Sequence, residues 1–509
     1  MIPLRRRGML WRFLFAAILV VGASAATTAV AGLLQFKQLA ADIQTGVIIP
    51  HAQITIANPG SPQTLLIIGS DHRAHEPFNL ANTDTMMLVR LNPNSSTINV
   101  MSIPRDLQVQ IPGHFSAKLN AAYSLGGTNL LTKTIQQNVF PAFHPNHIID
   151  VNFKGFRDLV NAIGCVYADV DHRYYNNTAF TNYSSINIQP GYQRLCGTAA
   201  LAFVRFRHTD SDLVRNARQQ DFVRWAKDQY TLGQLVGNRD RLLRIFARNV
   251  ETDSDLHTTD GLQNLFQLVA FSDGHTIKQI KFPAYQLPGC GSTGANGQSI
   301  PCYLSVTDAG RAQAWQEFMK PTTATSAKAK THPVVRGLKH ARPSAPPQVA
   351  GLTGDLTDAH TQAAQMSHLQ MPIYAPRLIL SGSSYCLAVT GNCPVQIQSP
   401  DSYPRAYMIK DPQGRRHAAY RMTLVINPVL GEYYGVQGTT WSTPPLLANP
   451  SETKVVNGRK LLLYAAGGKL TNVAWRTPTG TYWISNTLSS DIANAQMVAI
   501  AASLTRVGG

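Results

Sequence analysis

Twenty residues, Leu201 to Gln220 (LAFVRFRHTDSDLVRNARQQ), hold four arginines and two aspartates in a chain that is only 14% charged. Guanidinium groups are planar, permanently charged and forked, so a cluster of them suits phosphate or carboxylate oxygens. Read with a period of two, Leu201, Phe203, Arg205 and Arg207 share one face of a mostly buried strand. LVRNARQQDFVRWAK then predicts a helix capped by Asp212, with Arg215 and Gln219 one turn apart on one face and Arg218 in the same turns. Cations are favoured at the opposite end of a helix, so arginines in its opening turns call for a bound anion. Pairing with Asp210, Asp212 and Asp221 is the competing account of this segment.

Two more stretches point the same way. TLLIIGSDHR predicts a buried strand ending in Gly69, Ser70, Asp71 and Arg73, at the carboxyl end where ligands of α/β sheets gather. DTMMLVRL and TINVMSIPRD flank the turn NPNSS as an antiparallel hairpin; centred near Asn94 and Ser95, it sets Asp84 opposite Arg105, with Asp106 next. Three elements thus end in mixed Asp and Arg. Carboxylates hold Mg²⁺ and guanidiniums fork onto phosphate oxygens, so the mixture suits a diphosphate with a divalent cation, Mg²⁺ or Mn²⁺. His72 and His75 read as solvated loop residues rather than ligands.

Positioning these ends requires an α/β domain, and residues 59–320 alternate apolar runs with helical patterns as such a domain does. Before it, Arg5, Arg6, Arg7 and Arg12 precede 22 uncharged residues, Phe13 to Leu34. That pattern predicts a cytoplasmic basic tail (1–12), a transmembrane anchor (13–34) and a connector (35–58), leaving the rest outside the cytoplasm. A signal peptide cleaved near Ala23-Ser24-Ala25 is the alternative, and it exports the same residues. The formal charge of +17 fits an anionic partner, either nucleic acid, acidic lipid or anionic polymer. No DNA-binding motif stands out and export separates the chain from DNA, so nucleic acid is not expected.

Residues 321–350 read as an exposed linker, because Pro321 to Pro347 carries five Lys or Arg, five prolines and no acid. Beyond it, turns in KDPQGRR and RTPTGTY separate strand-like runs such as KLLLYAA and YWIS. Met497, Ile500, Ala501 and Leu504 stand at helical spacing, so 351–509 is expected to be a small antiparallel β domain closed by a helix. Cys290 with Cys302 and Cys386 with Cys393 bracket short loops as local staples, leaving Cys165 with Cys196; buried free thiols are the alternative.

GSDHR, NTDTMMLVRLNP, SIPRD, KLNAAYSLGG, VNFKGFRDLVNAIG and LAFVRFR followed by D..R..RQQ resemble the LytR-CpsA-Psr family, in order from Thr64 to Trp225. The resemblance implies an α/β/α sandwich with a mixed central sheet and a hydrophobic pocket for a lipid tail. It implies a membrane-anchored, extracytoplasmic enzyme that moves a glycopolymer from a polyprenyl diphosphate carrier onto peptidoglycan as a phosphodiester. Carried over by motif, Asp71 and Asp84 would hold Mg²⁺, and Arg105, Arg205, Arg207, Arg215 and Gln219 would clamp the diphosphate. Asp71, Asp84 and Arg105 are the expected catalytic residues, with Asp71 or Asp84 as base; Arg73, Asp106, Lys118 and Arg218 would support the clamp.

Two departures stand out. Asn82 occupies a position that is commonly Arg in the family, and the family's GGV and LDG become GCV at Cys165 and LCG at Cys196, which strengthens that pairing. A non-catalytic polyprenyl-phosphate-binding module or a polyprenyl-diphosphate hydrolase would carry the same clamp. A transcriptional regulator is the weakest reading.

Overall fold

Leu65, Leu66 and Ile68 lie in one strand buried from both sides, and that double burial dictates three layers. The computed structural model describes residues 46–72, 81–178, 185–207, 211–230, 248–290, 301–322, 349–387 and 402–508, together with 241–242, 245 and 393. In its first part the strands that build the main sheet and its adjoining ribbon are β1 (Val47–Ile48), β2 (Gln63–Ser70), β3 (Thr83–Leu91), β4 (Thr97–Ser102), β5 (His147–Asn152), β6 (Val166–Val170), β7 (Gly191–Leu195), β8 (Val250–Thr252) and β9 (Thr276–Ile280). Seven of them form one mixed sheet in the order β1-β8-β5-β2-β3-β4-β9, while β6 and β7 pair apart as an antiparallel ribbon.

The helices are α1 (Ala121–Thr134), α2 (Phe153–Ala162), α3 (Gly197–Arg205), α4 (Asp212–Gln229), α5 (Thr259–Phe271) and α6 (Asp308–Met319). Leu66, Ile68, Met86, Leu88 and Met101 pack with Tyr123 and Leu131 of α1 and Phe318 of α6. The alternate residues Leu65 and Leu91 pack with Leu268 of α5 on the opposite face. The result is an α/β/α sandwich around a mixed sheet. Gly127, at φ +64°, breaks α1 after the AAYSLG run.

Two expectations need correction. LAFVR is not a strand: Gly197–Arg205 is helical, and Ala200, Leu201, Phe203 and Val204 are buried together. A short apolar run does not distinguish the two periods, and the preceding Gly-Thr-Ala-Ala favours helix once a full core surrounds it. Arg205 therefore ends α3, and extended Phe206 (ψ 132°) turns the chain so that Arg207 follows on its own. The cap of α4 is Ser211, whose hydroxyl accepts from the Val214 N–H, and Asp212 is the first helical residue. The hairpin, by contrast, has the expected register: Met87 faces Ser102, and the Ile103 N–H reaches the Met86 carbonyl, so the same pairing carried outward sets Asp84 against Arg105.

In the second part lie α7 (Thr357–Gln365) and strands β10 (Ser384–Tyr385), β11 (Arg405–Lys410), β12 (Arg416–Asn427), β13 (Glu432–Thr439), β14 (Glu452–Val456), β15 (Arg459–Ala466), β16 (Lys469–Thr477) and β17 (Gly480–Ser485). They make an antiparallel sheet in the order β10-β12-β13-β17-β16-β15-β14, with β11 added on β12. Helix α8 (Asn494–Ala502) buries Met497, Ile500 and Ala501 against it. The helix is not the final element, since Leu504–Gly508 is a strand paired with Ile373–Pro376 and Leu504 enters the core from there.

The two parts share a core in which Tyr167 and Tyr192 of the ribbon meet Trp441, Tyr464 and Trp483. The described residues hold three disulfides, Cys165–Cys196, Cys290–Cys302 and Cys386–Cys393. Among the described residues no helix is long and apolar enough to cross a membrane. The expected span at 13–34 lies outside those residues, as do most of the linker, Arg73, His75 and Asp210.

Candidate functional site

The carboxyl end of β2, the start of β3, the chain after β4, the end of α3 and the first turns of α4 meet at one place. Asp84, buried at the start of β3, is its centre. Arg105 donates to one of its carboxylate oxygens, and Arg205 Nε donates to the other at 2.9 Å. Arg215 Nη1 stands 3.7 Å from it.

Asp106, beside Arg105, takes Lys118 Nζ at 2.8 Å and Arg207 Nη1 at 2.7 Å. Asp212 accepts the Arg105 backbone N–H at 2.9 Å and pairs with Arg215. Five cations thus surround three carboxylates, and the surplus is positive.

The arginines differ in exposure, and this divides their roles. Arg215 is 1% exposed, whereas Arg205 and Arg207 are 35% and 31% exposed and form an open rim. The Arg205 guanidinium carbon sits over the Phe153 ring, 3.9 Å from its centroid, a cation–π contact that helps hold the side chain in place. Buried Nε groups of Arg105 and Arg215 find no hydrogen-bond acceptor among the described residues. Such donors favour an anion arriving from outside.

Burial opposes ionisation of Asp84, yet Arg215, Arg105 and Arg205 together outweigh it and hold the carboxyl below its usual range. Burial wins at Asp212, whose carboxyl is pushed up despite Arg215.

Other expected members sit elsewhere. Arg218 is fully buried; its Nη1 donates to the carbonyls of Phe206 (2.7 Å) and Phe203 (3.2 Å), and its guanidinium covers the Tyr174 ring. It closes the carboxyl end of α3 rather than facing a ligand. Gln219 is buried too, donating to Val204 O at 3.2 Å. Both lie on the side of α4 that packs on α3, a consequence of the helical course of LAFVR. Of the acids expected to neutralise the arginines, Asp221 instead pairs with Arg224 at 2.6 Å.

Asp71 follows β2 and is joined to Asn82 by two backbone contacts, its own N–H to Asn82 O and the Asn82 N–H to its carboxylate. Asn82 therefore fastens Asp71 to the strand that carries Asp84. Among the described residues no three or more His, Cys, Asp or Glu side chains gather as a metal cage.

A neighbouring cluster was not foreseen. Asp150 of β5, in the otherwise apolar run HIIDV, accepts from Ser70 Oγ at 2.7 Å and the Tyr123 hydroxyl at 2.6 Å. A lone acid in a buried strand was the available signal, and Tyr123 lies within KLNAAYSLGG. This cluster ties the end of β2 to α1 and β5.

The sequence profile of the LytR_cpsA_psr family matches residues 31–317. That is more than half of the chain, and the chain belongs to this family. Similar curated proteins include a polyisoprenyl-teichoic acid–peptidoglycan teichoic acid transferase, TagU, of Oceanobacillus iheyensis, 33% identical over 209 residues covering 40% of this chain and 61% of that protein. The corresponding TagV of Bacillus subtilis is 29% identical, over 43% of this chain and 55% of its own length. The chain thus spans somewhat under two thirds of these relatives. A crystal structure of B. subtilis TagV is 24% identical, matching 51% of this chain and 97% of that one with a TM-score of 0.40. A structure of TagT with bound octaprenyl pyrophosphate is 21% identical, over 53% and 97%, with a TM-score of 0.38.

Proposed function

We propose that the protein is a membrane-anchored, extracytoplasmic phosphotransferase that moves a glycopolymer from a polyprenyl diphosphate carrier onto a peptidoglycan hydroxyl. The observation that carries this reading is the convergence of Arg105, Arg205, Arg207, Arg215 and Lys118 around Asp84, Asp106 and Asp212, with buried guanidinium donors left for an incoming anion. Family membership supports it, as do the names of the similar transferases.

In this reading the exposed forks of Arg205 and Arg207 bind the diphosphate first, and buried Arg215 orients it. The sugar hydroxyl oxygen forms a bond to the phosphorus that carries the glycopolymer. The bond from that phosphorus to the bridging oxygen breaks, and polyprenyl phosphate leaves with the electron pair. The arginines offset the charge growing on the leaving phosphate. Held low by three guanidiniums, Asp84 is a poor proton acceptor. Asp71, which has no ion-pair partner among the described residues, is the better candidate to take the hydroxyl proton.

Asp71 and Asp84 would together hold Mg²⁺. Carboxylate oxygens with phosphates completing the shell are the donor type this ion takes, and Arg105 or Arg205 would have to yield an Asp84 oxygen to it, turning toward the phosphates instead. Bound there, it would neutralise phosphate charge.

The test is transfer of a radiolabelled polyprenyl-diphosphate oligosaccharide to peptidoglycan fragments, with and without Mg²⁺. Label should reach the fragments only with metal and fall by roughly 10²–10³-fold in Arg205→Ala and Asp84→Ala. Release of sugar phosphate to water alone favours the hydrolase. Binding without turnover favours the binding module.

A further inference from the structure

Helix α4 has two working sides. Its first turn gives Asp212 and Arg215 to the charge cluster, while Ser211, Val214 and Asn216 line a cleft of ≈ 290 Å³ between the two domains. The opposite wall is the second domain, including Leu430, Glu432 and Lys469, and Lys278 and Lys281 come from the middle of β9 and the residue after it. Gly431, at φ +65°, brings the β12–β13 turn against Val214; an added Cβ there would lie 2.8 Å from the valine methyl. The cleft therefore reaches the first turn of α4 beside the site, and it is lined there by the exposed apolar Leu430.

The lining differs from the site in charge. Its three lysines, 278, 281 and 469, are matched by three acids, Glu317, Glu432 and Asp491. Lys278 pairs with Glu317 at 3.2 Å, Lys281 lies 3.8 Å from Asp491, and Lys469 donates to the Ser490 carbonyl. Such a balanced wall has no surplus for a polyanion, but it offers many donors and acceptors to a neutral polar chain. One donor is already waiting: Asn216 is 94% buried, and its Nδ2 finds no acceptor among the described residues. Farther along the same helix the domain boundary opens again, a hollow of ≈ 270 Å³ beside Lys227, Asp228 and Tyr464. α4 has 18 residues, so the two hollows lie along a track of about 27 Å.

We infer that this interdomain cleft binds an uncharged, acetamido-bearing glycan strand, the acceptor, and presents its hydroxyl past the first turn of α4 to the bound diphosphate. The identity of this ligand rests on the transferase reading; the cleft's neutrality and position do not. Asn216 and the paired lysines would take the acetamido and hydroxyl groups, and Leu430 the apolar face of a ring.

The full-length chain in detergent is titrated calorimetrically with chitohexaose and, separately, with poly(glycerol phosphate). Asn216→Leu and Lys281→Ala should each weaken chitohexaose at least 5-fold, while Asp84→Ala leaves it within 2-fold. Lys281 is 71% exposed, so its variant folds whether or not Asn216→Leu does. Chitohexaose that fails to bind, or binds all variants equally, overturns the inference, as does tighter poly(glycerol phosphate) binding lost in the same variants. Failed transfer with glycan binding still lost in the cleft variants would sink the transferase reading and leave the glycan cleft standing.

Discussion

At the scale of single residues, three arginines within fourteen positions end up in three environments. Arg205 is a half-open fork on Phe153, Arg215 a buried partner of Asp84 and Asp212, and Arg218 a structural donor to carbonyls. Sequence alone treated them as one clamp, because charge and spacing do not report burial. Arg218→Met should lower stability by about 3 kcal/mol, since it frees buried carbonyls. Diphosphate affinity of the folded fraction should stay near wild type; chemical denaturation and lipid titration check the two halves.

Asp150 gives a second test. Burial pushes its carboxyl up to about 6, although hydrogen bonds from Tyr123 and Ser70 oppose the rise. The folded value lies above the ordinary 3.8, so the folded state binds more protons between the two. This group's contribution is therefore full below about pH 4 and lost as pH rises through about 6, a change on the order of 3 kcal/mol. Asp150→Asn should flatten stability between pH 4 and 6, measured by urea unfolding across that range.

At the scale of elements, α3 and α4 set the site, and the Cys165–Cys196 bond anchors the start of α3. Cys196 is the residue preceding α3, and Cys165, at φ +69°, opens the turn into β6. Its partner lies 31 residues away, a separation for which loop-closure entropy is worth roughly 3–4 kcal/mol. The Cys165→Ser, Cys196→Ser pair should lose about that much in denaturant unfolding. Transfer should also decline, because α3 carries Arg205 at its far end. The hairpin β3–β4 was legible from its turn and alternation, and its register alone predicted the Asp84–Arg105 contact. The α3 segment was not, since the six apolar residues Ala199 to Val204 fit either period until the surrounding core selects one.

At the scale of the molecule, the ribbon β6–β7 packs on the second domain through the shared aromatic core and, beside it, through one buried carboxylate. Asp169 accepts Arg421 Nη1 at 2.8 Å and Trp483 Nε1 at 3.2 Å, and Gln437 also donates to it. Removing Arg421 alone would leave a buried charge with too few partners, so Arg421→Met should cost about 3–5 kcal/mol. Adding Asp169→Leu should recover part of that loss. Calorimetry should show one unfolding transition splitting into two in the single variant, if the pair couples the domains.

The linear chain by itself determined the class of fold, the hairpin register, the second β domain and the meeting of Asp84 with Arg105. Each follows from local periodicity, turn residues or residue type. Only the tertiary structure decided that Arg218 and Gln219 face inward, that Asp150 supports the end of β2, and that the second domain lies along α4 to make a cleft. Those facts depend on which side of each element finds a partner, and the partners of α4 come from segments such as Leu430 and Lys469, more than 200 residues away in the chain.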